Sequence, residues 1–388
     1  MKILLVSIHP EPIKAYGESL KTACILDSLR STGCAVDVIC KSNESQEKHA
    51  NKKRQDPQDY QGITQYWRPS RRAKLPLLSL REFKTTSLLR HSSIEHLVDF
   101  YICKNPYCVV IWDDITLVPL AAKYRERSIV SLNDCASEMF LQQARLSSGL
   151  TKIQSILRWL VARRYERNYL SMFRAVTVLV ERDKLSLVCS QGLTQVKVIP
   201  NYSVSNPLPE WHPSGRDFVI WADLRTPFSI SGTEKLLMEL ADRTSNVSIV
   251  GRLEMSVAKR LLRSEAKYFK SWEDALESGT QPAAIVIPDI AGTGMKNRLI
   301  NAMERGYRVF AMREQFAGLE SQLPLHPKIK EWSEFAQLAI AELQEPEDVR
   351  VRRSREIKTG YANNISVETI GSRWKILVEH IDERLHEA

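Results

Sequence analysis

The feature that most limits what this chain can fold into is a repeated alternation. A short β-branched or apolar run is followed by apolar residues at helical spacing, and then by another such run. Residues 3–8 read as a strand buried on both faces. Residues 17–30 then place Leu20, Cys24, Ile25, Leu26 and Leu29 near one helical face. Gly33 suits the helix stop, and residues 36–40 read as the next strand. Two strands joined through a helix run parallel. Further strands are expected at 109–113, 129–132, 176–180 and 196–199. The composition then changes. NYSVSNPLPEWHPSGRD (201–217) is rich in Pro, Ser and Asn and reads as a linker. The alternation restarts beyond it, with strands at 218–221, 247–250, 284–287 and 309–312 and helices at 234–243 and 295–304.

The expected architecture is therefore α/β, with two Rossmann-like domains that each carry a parallel sheet. The expected divisions are 1–203, a linker at 204–217, 218–366, and a helical segment at 367–388. Packing of that last segment back onto the first domain is one placement, and its position is otherwise open. A length of 388 residues and a hydrophobic content of 43% suffice for two cores. No apolar run is long enough to span a membrane. The run at 3–8 is followed by Glu11 and Lys14 without a small-residue cleavage site, so a first strand explains it better than a signal peptide. The seven cysteines form no C-x-x-C pair, which suggests neither a disulfide framework nor a zinc site and fits a reducing, cytoplasmic setting.

The net charge of +9 is unevenly spread. Residues 41–90 hold 12 Lys or Arg against 5 Asp or Glu. A solvated loop accounts for 41–60 as well as an anionic partner does. The basic segment lacks interleaved aromatics except near Tyr66 and Trp67, which argues against nucleic acid. Residues 151–173 form a helix pattern with Ile153, Ile156, Leu157, Leu160 and Val161 on one side and Arg163, Arg164 and Arg167 nearer the other. The plainer reading packs that stripe on the first domain and leaves the arginines in water. The other lays the helix on an anionic membrane surface as a peripheral attachment.

The stretch IPDIAGTGMKNRLINAMERG (287–306) carries the clearest chemistry. A buried strand ends at Pro288, Gly292 and Gly294 follow, and a helix begins near Lys296. Glycines let an anion reach the amides of a helix N-terminus, and Lys296 and Arg298 add full charge. The alternative is a tight turn with both cations in water. The spacing matches neither a Walker A loop nor a G-x-G-x-x-G dinucleotide turn. GTGMKNRLINAMERGYRVFAM, the FAGLE that follows, the opening SIHPEPIKAYGESLKTACILDSLRSTGCAVDVI, SLNDCASEMF and VKVIPN together resemble family-4-like glycosyltransferases of the GT-B fold.

That resemblance implies two Rossmann-like domains with a cleft between them. It implies a nucleotide-sugar donor on the second domain, a glycan or lipid-linked acceptor on the first, mostly retaining transfer, and no metal or other cofactor. Gly292, Thr293, Gly294, Lys296 and Arg298 would hold the donor diphosphate. Asn301 stands where the family has a ribose-binding glutamate. Arg225 is the one candidate for the family's basic residues after the first strand of the second domain. The other family glutamate has Asp289 as its nearest acid. Gly17 falls in the family's first glycine loop. Asp134 is either an acceptor-side base or the N-cap of the following helix, and Ser137 and Glu138 stand beside it. His9, at the end of the first strand, is a base or only a loop residue. Asp113 and Asp114 form a carboxylate pair with no further metal ligand at useful spacing. A catalytically silent GT-B module remains an alternative because of Asn301. An epimerase of the same fold would need acids and a histidine around one sugar, and these cannot be assembled here.

Overall fold

The computed structural model describes residues 1–10, 19–41, 64–67, 94–204, 206–224, 227–240, 247–252, 266–292, 294–316, 319 and 324–387. The chain divides into one unit of Met1–Val204 with Val367–Ala388 and a second of Ser205–Ser366.

In the first unit the described strands are β1 (Lys2–Pro10), β2 (Ala35–Lys41), β3 (Thr64–Trp67), β4 (Val109–Asp113), β5 (Ser128–Ser131), β6 (Ala175–Val178) and β7 (Val196–Val198). They form one parallel sheet in the order β3-β2-β1-β4-β5-β6-β7. Every residue of β4, β5 and β6 is buried, as a parallel sheet covered on both faces requires. The helices are α1 (Ser19–Ser31), α2 (Ile94–Lys104), α3 (Val118–Ala121), α4 (Ala136–Leu146), α5 (Gly149–Leu170) and α6 (Glu181–Gln191). Trp112 anchors the core, stacked on Tyr124 with centroids 5.9 Å apart. Its indole N–H donates to Ser128 Oγ at 2.9 Å, so a large ring is buried without an orphaned donor.

The second unit repeats the plan with β8 (Asp217–Trp221), β9 (Val247–Val250), β10 (Lys267–Phe269), β11 (Pro282–Ile287), β12 (Arg308–Met312) and β13 (Lys328–Ile329). These are parallel in the order β10-β9-β8-β11-β12-β13. The helices are α7 (Pro227–Leu240), α8 (Trp272–Glu277), α9 (Asn297–Glu304), α10 (Phe335–Gln344) and α11 (Glu347–Ile365). Phe218, Phe310 and Phe335 meet edge to face at 5.2–5.8 Å in its core.

The last helix, α12 (Val367–Glu387), belongs to the first unit. It buries Ile370, Trp374, Leu377, Val378 and Ile381 on one face. Gly371 lets it approach α1 closely, because a Cβ there would lie 2.7 Å from the Ser28 carbonyl oxygen.

Two readings change with the structure. The Pro- and Ser-rich stretch after residue 205, read as a linker, packs on the second unit as a strap. Leu208 is buried, the Trp211 indole donates to the Ala283 carbonyl at 3.1 Å, and Glu210 pairs with Arg305 at 2.5 Å and with Lys358. In α5 the apolar stripe faces outward, contrary to the plainer expectation. Ile153 is 55% and Leu157 53% exposed, whereas Ser155, Ala162, Tyr165 and Glu166 are buried. Small side chains on that buried face, Ser155 and Ala162 here with Ala136, Ser137 and Ala144 on α4, let neighbouring helices pack closely.

Among the described residues no helix is long and apolar enough to cross a membrane, and no group of three His, Cys, Asp or Glu is placed to hold a metal. Five of the seven cysteines are buried and none is in a disulfide.

Candidate functional site

In an open parallel sheet the crevice forms where the strand order reverses, beyond the carboxyl ends of the two strands on either side. In the second unit those strands are β8 and β11. The chain leaving β11 is Pro288–Met295, and α9 starts immediately after it. The glycine-rich stretch therefore lies at the switch point of its own sheet.

The corner is tightly built. Gly292 has φ +144° and Gly294 φ +64°, both in the left-handed region that glycine alone enters at little cost. The Lys296 ammonium bends back over Gly292 and occupies the volume that a side chain at 292 would need. Lys296 is itself the N-cap residue of α9, and its side chain makes no capping bond, so the residue that opens the helix also carries the cation lying over Gly292. Helix α7 closes in from the side. Gly232 sits so close to the Pro288 carbonyl that a Cβ there would overlap its oxygen.

Arg298, expected to face the donor diphosphate, is engaged with groups of its own unit in this structure. One nitrogen of its guanidinium donates to Asp289 Oδ2 at 2.6 Å and the other to the Trp221 carbonyl at 2.5 Å. Asp289 is 4% exposed and also receives the Ser229 hydroxyl at 2.5 Å. A single arginine thus ties the carboxyl ends of β8 and β11 to the first turn of α9, and Ser229 joins α7 to the same carboxylate. Ser229 carries no motif that singles it out in the sequence.

Asn301 lies one turn further along α9 and is 7% exposed. Its backbone carbonyl accepts from Asn206 Nδ2 at 2.7 Å, which pins the strap to α9. Thr293, Arg225 and Gly17 lie outside the described residues, as do the side chain of His9 and the basic stretches 42–63 and 68–93.

The first unit has its own switch point, between β1 and β4. Asp113 there is fully buried and paired with the equally buried Lys21 at 3.0 Å, and it accepts from Thr22 and from Ser7, the latter at 3.3 Å. Asp114 points elsewhere. It caps a short 3-10 turn by accepting from the Thr116 amide at 2.7 Å, and it holds a strained φ of +149°. The two adjacent carboxylates thus do not act as one metal-binding pair. Periodicity carries no signal that Lys21 and Asp113 would meet.

Asp134 is half-buried in the turn before α4 and is not its N-cap; Cys135 holds that position without a side-chain capping bond. The carboxylates at that helix start come from α5 and α6, and Asp183 of α6 accepts the Cys135 amide at 3.4 Å. Glu166 accepts the Ser137 amide at 3.1 Å and Gln191 Nε2 at 2.6 Å. Burial pushes its carboxyl above the ordinary value, against the hydrogen bonds from Ser137 and Gln191.

No family model matches this sequence, and no curated protein does. Solved structures do match over nearly the whole chain. Sucrose-phosphate synthase from Thermosynechococcus elongatus has a TM-score of 0.69 at 13% identity, covering 98% of each chain. HepE of Anabaena, solved in complex with UDP, has a TM-score of 0.64 at 14% identity, covering 98% of this chain and 100% of its own. WaaG, described as a glycosyltransferase involved in lipopolysaccharide biosynthesis, has a TM-score of 0.61 at 12% identity over 97% of this chain and 99% of its own. At such identity the likeness speaks to the fold, and the chain has the GT-B fold with two Rossmann-like units.

Proposed function

We propose that this chain is a glycosyltransferase that moves a sugar from a nucleotide-sugar to a glycan or lipid-linked acceptor. The observation that carries the reading is the corner at the β8/β11 switch point, where two positive-φ glycines, the Lys296 ammonium and the start of α9 converge. In such a transfer the leaving group is a nucleoside diphosphate, whose charge grows as the glycosidic bond breaks. Preorganised amides and a cation at that corner would stabilise the charge without reorganising. HepE, a structural neighbour, has been solved with UDP and with UDP-glucose, which supports a donor of that class.

Retention of configuration, independence of metals and other cofactors, and work in envelope or other polysaccharide assembly complete the proposal and follow from the family that the sequence resembles. A cytoplasmic setting follows from the cysteine usage, and peripheral attachment to the membrane from the helix pattern at 151–173. Asp134, in the turn before α4, is the candidate for an acceptor-side base, and Gly17, Arg225 and Thr293 for further donor contacts.

Two observations favour a second reading, a silent module that binds a nucleotide-sugar or glycan as a partner subunit. Asn301 replaces the family glutamate and is nearly buried, and Arg298 is committed to Asp289 and Trp221. One experiment separates the two. The protein is incubated with a panel of nucleotide-sugars and candidate acceptors while thermal shift and nucleoside diphosphate release are followed. Stabilisation with acceptor-dependent release is expected of a transferase. Stabilisation without release identifies the silent module, and neither response to any donor removes both readings.

A further inference from the structure

We propose that the α4–α5 hairpin is a docking surface for an anionic lipid bilayer. Leu146, Leu150, Ile153, Ile156, Leu157 and Leu160 are all exposed, and Leu150 reaches 78%. Leu150, Ile153, Leu157 and Leu160 follow one another at spacings of three and four, so they form a single stripe along the first half of α5. The opposite face, with Ser155, Ala162 and Glu166, is the one that packs inward. Isolated exposed leucines are ordinary, but a continuous stripe on one element marks a surface that is covered in use.

Charge identifies the cover. No Asp or Glu occurs from residue 139 to residue 165, a span that carries Arg145, Lys152, Arg158, Arg163 and Arg164. Arg164 and Arg167 are exposed and continue the outward face of α5 beyond the apolar residues. Arg163 lies over the Trp159 ring, 5.7 Å from its centroid, which places an amphipathic ring beside the cations. Apolar side chains on a segment whose charged residues from 139 to 165 are all cations match a surface with an oily interior and negative headgroups. A second copy of the chain fits badly, because a two-fold contact on this patch would set like charges against one another. The helix would lie in the plane of the interface, since no described helix suits a spanning role.

The inference rests on the hairpin alone and stands whether or not the chain transfers sugar. With transfer, docking would bring the first unit to an acceptor carried on lipid.

The test is co-sedimentation of the full chain with vesicles of phosphatidylcholine, and of phosphatidylcholine mixed equally with phosphatidylglycerol, at low salt and at about 0.5 M salt. Binding is expected to the mixed vesicles at low salt and to weaken with salt. The triple variant L150S/I153S/L157S should lose about tenfold or more of that binding. The variant R158Q/R164Q/R167Q should lose the preference for phosphatidylglycerol. Both sets change exposed side chains, so their unfolding midpoints should stay at the wild-type value. No sedimentation with the mixed vesicles at low salt overturns the proposal, as does binding that the serine variant leaves unchanged. A chain that ignores vesicles but dimerises through this stripe, and becomes monomeric in the serine variant, assigns the patch to a second copy instead.

Discussion

The Lys296 ammonium lies where a side chain at Gly292 would have to go. The two residues are therefore one device, because the missing side chain makes room for the cation that would face the diphosphate. Gly292→Ala should act twice. At φ +144° an alanine is strained, by about 1–3 kcal/mol. It also displaces Lys296, and should weaken UDP binding about tenfold or more. Calorimetric titration of UDP and a urea unfolding curve measure the two effects separately. A variant with wild-type values in both removes the device.

Lys296→Ala should leave the fold intact, since the side chain is only half-buried at a helix start. It should weaken nucleoside diphosphate binding by about 1–3 kcal/mol, the scale of a lost charge-assisted hydrogen bond. Undiminished affinity would show that the diphosphate, if bound, sits elsewhere.

Arg298 and Asp289 should report mainly on stability. The pair is mostly buried, with side chains 20% and 6% exposed, and removing one partner leaves the other charge without its counterpart. Arg298→Ala and Asp289→Ala should each cost about 3 kcal/mol or more, and the double variant should cost less than the sum of the two. Chemical unfolding of all three variants and the wild type makes the double-mutant cycle. Additive losses would mean that the contact at 2.6 Å contributes nothing of its own.

Most strands that the sequence reveals are buried on both faces, since full burial leaves an unbroken apolar run such as that at 109–112. The strands it hides are short or lie at sheet edges. Thr64–Trp67, Lys267–Phe269 and Lys328–Ile329 have two to four residues each, too few for a pattern to show. The glycine corner was legible because positive φ and a helix start leave a local signature. The commitment of Arg298 was not, because Trp221 lies 77 residues away along the chain. In α5 periodicity identified a shared face but not its direction. The inward face is lined by small and polar groups, which hydropathy scores as surface.

Glu166 gives stability a dependence on pH. Its folded carboxyl is raised above the ordinary value of 4.5 by burial, so the folded state holds the proton more tightly than the unfolded chain. Its contribution is complete below that ordinary value and is lost as pH rises through the raised one. Glu166→Gln removes the ionisation, and its amide can exchange hydrogen bonds with Gln191 once that amide turns over. The wild type should lose stability relative to the variant as pH rises from the ordinary carboxylate range toward neutrality. Urea midpoints of both proteins across that range measure it, and parallel curves would mean that Glu166 titrates as an ordinary glutamate.

His326 imposes the opposite slope. It is buried on the second unit's core, stacked on Phe316 at 5.2 Å, and its Nδ1 accepts the Val309 amide at 3.0 Å. That bond requires a neutral ring with the proton on Nε2. Burial, with the nearby Arg308 and Arg353, lowers its pKa from 6.5 to about 3. Between those values the unfolded chain binds a proton that the folded one refuses. Stability is therefore complete above about 6.5 and falls as pH drops toward 3. His326→Asn keeps an acceptor near the position of Nδ1 but loses the ring. It should be about 1–3 kcal/mol less stable than wild type at neutral pH, and that deficit should shrink on acidification because the variant has no imidazole to protonate. Unfolding curves at neutral pH and at mildly acidic pH decide the matter. A deficit that stays constant would show that the imidazole accepts its proton in the folded state as readily as in the unfolded one.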